Sequence, residues 1–269
     1  VRNTTAGDLM QQVAKVWISE DRLKPYLSAT YQNESKALAL YELDRRLSAA
    51  IFHEIAYIEV ALRNAIVEYL QKTYGESWYA DTTVGFDLRV RENLIEAWES
   101  LPSRYTKDAE RNRKLGGRLV AASMFRTWTN MLDKGGETGL KPPFETADHD
   151  KIWTPKALEV TFRGAKPLGK RLQDPEFRTY GITREWIFRK ISPIRYIRNR
   201  IAHHESIAPN GVPVTGTNRR LTPRECHELC LEVAEIIDRD LAAFLRSNIP
   251  VAEILDELDA FKESLDEWP

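Results

Sequence analysis

Residues 33–75 read NESKALALYELDRRLSAAIFHEIAYIEVALRNAIVEYLQKTYG, and this stretch decides the fold. Asn33 is a residue type that caps helix N-termini, Gly75 is a stop signal, and no proline lies between them. Leu40, Leu43, Leu47, Ile51, Ile55, Ile58, Leu62, Ile66 and Tyr69 recur every three or four residues, which traces one apolar stripe along a helix. The spacing predicts one long helix, or two with a bend. No segment shows the period-two alternation of a strand, and there is no internal repeat or low-complexity tract, so the fold class is all-α.

Working outward, the remaining punctuation is also helical. Residues 1–31 predict an N-terminal cap of two short helices, the second opened by Ser19 with Glu20 and Asp21 in its first turn. Amphipathic helices are predicted over residues 87–100 and 117–132. Residues 135–150, rich in Gly and Pro, predict a loop, either between two parts of one helical domain or at a domain boundary. Thr154-Pro155 starts a short helix, another follows Thr183, and Ser192-Pro193 is read as a third start signal. That last start predicts a helix through residues 195–203 that ends near residues 207–211. Thr222-Pro223-Arg224-Glu225 combines proline in the first turn with a T-x-x-E capping box, and its helix is expected to reach about Arg246. A final helix follows Pro250. The expected organisation is a single all-α domain over residues 1–269, with additional helices at both ends.

The 269 residues are 42% hydrophobic, enough for a substantial core. Lys and Arg number 39 against 40 Asp and Glu, but the near balance hides a local asymmetry. Residues 163–200 hold eleven Lys/Arg and three Asp/Glu, whereas residues 250–269 hold seven acids and one Lys. A basic middle suits a polyanion such as RNA, although solvated helix faces produce similar runs, and the acidic C-terminal helix is a candidate cover for it. Two cysteines, no apolar run of about 20 residues and no apolar signal core point to a reducing cytoplasm and away from a membrane.

The chemistry concentrates in Arg195-Tyr196-Ile197-Arg198-Asn199-Arg200-Ile201-Ala202-His203-His204-Glu205, which fits R-N-x-x-x-H at Arg198, Asn199 and His203. With two upstream blocks, Glu59-Val60-Ala61-Leu62-Arg63-Asn64 and Gly117-Arg118-Leu119-Val120 through Phe125-Arg126-Thr127-Trp128, it resembles the bacterial Abi (abortive infection) proteins of the HEPN ribonuclease superfamily. The resemblance implies a HEPN-like helical bundle, metal-independent RNase activity without a cofactor, and a toxin-like role against bacteriophage. It also implies a homodimer. RNA can be cut through its own 2′-hydroxyl if a base removes that proton, an acid protonates the leaving 5′-oxygen and a cation stabilises the phosphorane. Histidine suits the first two roles, so His203 is the candidate base or acid; Arg198, always charged and planar, is the candidate stabiliser.

Helical geometry constrains the set. Five residues turn about 500°, leaving Arg198 and His203 about 140° apart, while Asn199 and His203 share a face. One motif offers one principal histidine, and a symmetric dimer would supply two. Asn199, Arg195, Arg200, His204 and Glu205 are supporting or RNA-binding candidates, the Asn199 amide as the group that orients the imidazole or contacts the scissile phosphate. Glu205, seven residues after Arg198, is read as its ion-pair partner or a substrate contact, and a helical His204 would point about 100° from His203. The competing reading is a non-catalytic RNA-binding or assembly module using the same basic helix. A partner antitoxin, RNA or protein, is open, but Glu205 occupies the place where some HEPN proteins carry a modifiable tyrosine.

Other candidates read as structure. Arg63-Asn64 repeats half of the motif, but Glu68 stands where the histidine would be, so a bracing role with Glu59 is expected. Cys226, His227 and Cys230 are too few for a structural zinc site and are expected to be buried. His53-Glu54 lacks a second histidine, His149 stands alone, and no metal site is expected. Most tryptophans should be core, with Trp78-Tyr79 the candidate for a surface groove.

Overall fold

A computed structural model describes residues 17–107, 114–139, 145–214 and 217–266. Its helices are α1 (Glu20–Ala29), α2 (Glu34–Tyr74), α3 (Leu88–Glu99), α4 (Ser103–Thr106), α5 (Leu115–Ala122), α6 (Phe125–Met131), α7 (Pro155–Thr161), α8 (Ala165–Leu172), α9 (Pro175–Tyr180), α10 (Arg184–Ala202), α11 (Pro223–Ile237), α12 (Arg239–Asn248) and α13 (Val251–Asp266). Among the described residues the only sheet is a two-residue antiparallel pair, β1 (Val212–Pro213) with β2 (Arg220–Leu221). The fold is all-α. No helix among the described residues is long and apolar enough to cross a membrane.

Helix α2 is a single 41-residue element. Asn33 Oδ1 accepts the Lys36 N–H at 2.9 Å, satisfying an otherwise orphaned donor of the first turn, and Gly75 takes φ +86° where the chain leaves the helix. Leu40, Leu43, Leu47, Ile51, Ile55, Ile58, Leu62, Ile66 and Leu70 are all buried, each of them worth about 1.5–3 kcal/mol of apolar transfer.

The chain divides into two compact units. The first comprises Val1–Ile55, Tyr196–Leu231 and Phe244–Pro269. Here Ser19 caps α1, its Oγ accepting the Arg22 N–H at 3.4 Å; the further N-terminal helix expected before it lies outside the described residues. The T-x-x-E box forms in both directions: Glu225 N–H donates to Thr222 Oγ1 at 3.2 Å, and Thr222 N–H to Glu225 Oε2 at 2.7 Å. Helix α13 buries Val251, Ile254, Leu255, Leu258 and Leu265. Three of its carboxylates are occupied: Glu257 takes both forks of Arg46 at 2.7 and 2.9 Å, and Asp256 and Asp259 share Arg224.

The second unit comprises Ala56–Arg195 and Glu232–Ala243. Asp87 caps α3 through Val90 N–H at 3.0 Å, at the start of the helix expected over residues 87–100. The helix expected over residues 117–132 is two, α5 and α6, parted where Ser123 and Met124 turn extended with ψ 134° and 161°. Similarly, the helix expected to run to Arg246 breaks at Asp238. Trp78 is not a groove residue: it is 1% exposed and packs edge-on against Phe86. His149 is buried, receiving the Asp87 N–H on Nε2 and lying 3.0 Å from the Asp133 carbonyl through Nδ1, which sets its tautomer with the proton on Nδ1. A Cβ on Gly164 would lie 1.6 Å from the Glu235 carbonyl oxygen, so α8 and α11 approach there only because no side chain intervenes.

Candidate functional site

Helix α10 carries the R-N-x-x-x-H segment. It starts after Thr183, as expected, but Pro193 does not restart it; Arg184–Ala202 is one helix with the proline inside. Burial of Ile187, Ile191, Ile194, Ile197 and Ile201 along one stripe offsets the hydrogen bond lost at proline and leaves the polar motif residues to the other faces.

The helix also ends earlier than the sequence predicts, at Ala202. His204 N–H donates to Ile201 O at 2.9 Å and Glu205 N–H to Arg200 O at 3.0 Å, the paired bonds of a Schellman turn. His204 occupies the left-handed position, φ +56°, that glycine usually takes. His203 therefore sits at the C-cap, its N–H still on the Asn199 carbonyl at 2.9 Å, and His203, His204 and Glu205 are all exposed. The helical arithmetic that aligned Glu205 with Arg198 stops applying beyond this turn. Glu205 instead pairs with Arg200 at 2.6 Å, and Arg200 Nε donates to the Ser206 carbonyl at 2.8 Å. Arg200 braces the turn.

Arg198 is treated differently. It is half-buried, its Nη1 is 3.5 Å from Asn199 Oδ1, its buried Nε has no hydrogen-bond partner, and it has no carboxylate partner among the described residues. Asn199 thus lies beside Arg198, with a side-chain bond to that guanidinium rather than to the His203 ring. In the second unit, Arg195 Nη1 reaches Asn130 Oδ1 at 3.4 Å, and Asn130 donates to Asn93 at 3.1 Å.

The turn is held from below by residues that sequence reading missed. Asp44, fully buried on α2, accepts the N–H groups of Ile207 and Ala208 on Oδ1 at 3.1 and 2.7 Å. Its Oδ2 accepts the Tyr26 hydroxyl and Arg45 Nη2, each at 2.5 Å. Burial, reinforced by the neighbouring Asp44 charge, pushes the Tyr26 phenol well above its ordinary range. Burial works against the charge on Arg45, but the bond to Asp44 and its charge outweigh it. A signal was present: Asp44 falls on the apolar face between Leu40 and Leu47, where a carboxylate needs several donors to be tolerated.

Much of the basic excess over residues 163–200 is neutralised locally. Lys166, Arg171, Arg184, Arg189 and Lys190 each pair with a carboxylate, of Glu159, Glu235, Asp150, Glu176 and Glu232 respectively. Arg63 is half-buried with a buried Nε that makes no hydrogen bond, and Asn64 is exposed. Cys226 and Cys230 are buried as expected. Burial pushes the Cys226 thiol up to about 12 and raises Cys230 well above the ordinary thiol value, which makes both poor nucleophiles. Next to them His227 faces the buried Glu54; burial raises the Glu54 carboxyl above its ordinary value, and His227 only partly offsets this. No group of three His, Cys, Asp or Glu among the described residues is placed to hold a metal ion.

Residues 18–208, which include α1, the Asp44 anchor and the whole motif, match the family model described as Abi-like protein. The chain belongs to the Abi-like protein family. This membership points to abortive infection as the setting in which the Abi-like chain acts. No curated protein and no solved structure matches it. The family match ends at residue 208, the second of the two residues whose N–H groups Asp44 holds. The anchored turn is therefore inside the family region, and the capping-box helix and α13 follow it.

Proposed function

We propose that the Abi-like chain is a metal-independent endoribonuclease of the HEPN type, acting in the cytoplasm during abortive infection at a site completed by a second copy of itself. The observation that carries this reading is the contrast within the motif. Arg200 is committed to Glu205 and Ser206, whereas Arg198 has no carboxylate partner among the described residues, and the exposed His203 stands at the helix end five residues on. A guanidinium without a carboxylate partner and an exposed imidazole are the groups that phosphoryl chemistry on RNA uses.

In the proposed reaction an imidazole takes the 2′-hydroxyl proton, the 2′-oxygen bonds to phosphorus, and the 5′-oxygen leaves with a proton from a second imidazole. A cyclic phosphate and a 5′-hydroxyl end result. Arg198 stabilises the charge that grows on the non-bridging oxygens. One protomer presents Arg198 and His203 about 140° apart around a helix, so base and acid are best supplied by two motif helices facing each other. Tyr196 and Phe52, 44% and 38% exposed in the unit that holds the motif, give a second copy apolar surface to cover.

Arg198→Ala and His203→Ala proteins should remain folded and lose RNA cleavage in chelator-containing buffer together with toxicity in cells. Full cleavage by both variants would refute the assignment. Undiminished RNA binding by the parent chain without any cleavage would favour the non-catalytic module instead.

A further inference from the structure

Helix α1 contributes a cation to the motif turn that lies outside the motif itself. Arg22 Nη1 donates to the His204 carbonyl at 2.7 Å, and its Nη2 lies 3.5 Å from the His203 carbonyl. Its side chain reaches these oxygens across 182 positions of sequence while the residue stays exposed. Beside it, Arg45 Nη2 is 3.3 Å from the Glu205 carbonyl. Consecutive carbonyls of the turn are thus covered by guanidinium groups.

Saturating hydrogen bonds does not require this arrangement. The Schellman bonds already satisfy the carbonyls of Arg200 and Ile201, and exposed oxygens at residues 203 and 204 are served equally well by water. What the arrangement changes is the sign of the surface. A helix C-terminus is the negative pole of its dipole and repels phosphate, yet the candidate histidines sit at that pole. A guanidinium has five N–H donors, and two of those on Arg22 face the carbonyls, so the rest of the fork remains on the exposed side.

We propose that Arg22 is an RNA-binding residue of this site: it masks the carbonyl pole of α10 and donates to a backbone phosphate held beside His203 and His204. The inference rests on the RNA-directed reading above and adds a substrate contact from a different helix. A lysine at the position keeps the charge and loses the fork; a glutamine keeps a donor to the carbonyls and loses the charge.

The test is the salt dependence of binding to a single-stranded 2′-O-methyl oligoribonucleotide, which lacks the attacking hydroxyl and stays intact. For the parent chain and the R22K protein, log affinity should fall with log salt at one common slope. For R22Q the slope should be shallower by about 0.7, the value of one released counterion on a single strand, with affinity at low salt down about tenfold. An R22Q slope equal to the parent's, measured on protein with an unchanged helical circular dichroism signal, would overturn the proposal and leave Arg22 as a purely structural cap. No binding by the parent chain at any salt would instead refute the RNA-directed reading.

Discussion

Two carboxylates, Asp44 and Glu54, lie on the buried face of α2 in the same unit, each 0% exposed, and the fold handles them in opposite ways. Asp44 receives four donors, two on each oxygen: Ile207 N–H, Ala208 N–H, Tyr26 hydroxyl and Arg45 Nη2. Glu54 has His227, whose Nδ1 is 3.1 Å from Oε2 in bonding geometry and 2.9 Å from Oε1 out of it. Equal burial therefore leads to different chemistry. A carboxylate with four donors anchors the backbone that follows the motif, whereas one with a single ring nitrogen is driven toward its neutral form by desolvation.

The largest effect expected from breaking this contrast is at Asp44. Asp44→Asn removes acceptor capacity and sets an amide donor among existing donors, so unfolding free energy should fall by about 3–5 kcal/mol, read from urea denaturation. Because the lost contacts hold residues 207 and 208, amide exchange in the turn at residues 203–208 should accelerate more than in α13. A loss below about 1 kcal/mol would mean that Asp44 is not the anchor.

A smaller effect, opposite in sign, is expected on the exposed side of the same turn. His204 holds φ +56° because the Schellman bonds and the anchored residues beyond it leave the chain no other path. His204→Gly should relieve that strain and raise stability by about 0.5 kcal/mol, the gain reduced by glycine's greater freedom when unfolded. Destabilisation in the same denaturation assay would show that the imidazole makes a contact worth more than the strain.

The smallest effect is at Glu54, and it depends on pH. Its folded carboxyl value is raised, so above the ordinary 4.5 the native state holds a proton that the unfolded chain has released. This contribution to stability is complete below 4.5 and is lost as pH rises through the folded value. Glu54→Gln should be close to neutral at acid pH, where Glu54 is already protonated, and should flatten the decline of melting temperature with rising pH. An unchanged pH profile would place the declining term elsewhere.

Helix α2 was legible because its signals are local and agree: a cap at Asn33, a stop at Gly75 and an unbroken apolar stripe between them. The capping box at Thr222 and the helix beginning near Asp87 were readable for the same reason. The break at Ser123-Met124 was not, since neither residue forbids a helix. Pro193 misled in the other direction. A proline after serine is a good start signal, but the isoleucine stripe on both sides holds α10 together across it. The helix end at Ala202 carried no glycine to announce it, because His204 took the left-handed position.

By itself the sequence determined an all-α chain and the covalent order Arg198, Asn199, His203, because periodicity, caps and residue types act within a few positions of one another. Only the tertiary structure decided which arginine is committed to a carboxylate, where the motif helix stops, and that Asp44, Tyr26, Arg45 and Arg22 surround its end. The contacts of Arg22, Arg45 and Asp44 to the turn join residues at least 160 positions apart, and no local spacing encodes them. They exist because a buried carboxylate must find donors and a helix end must find partners, wherever in the chain those happen to lie.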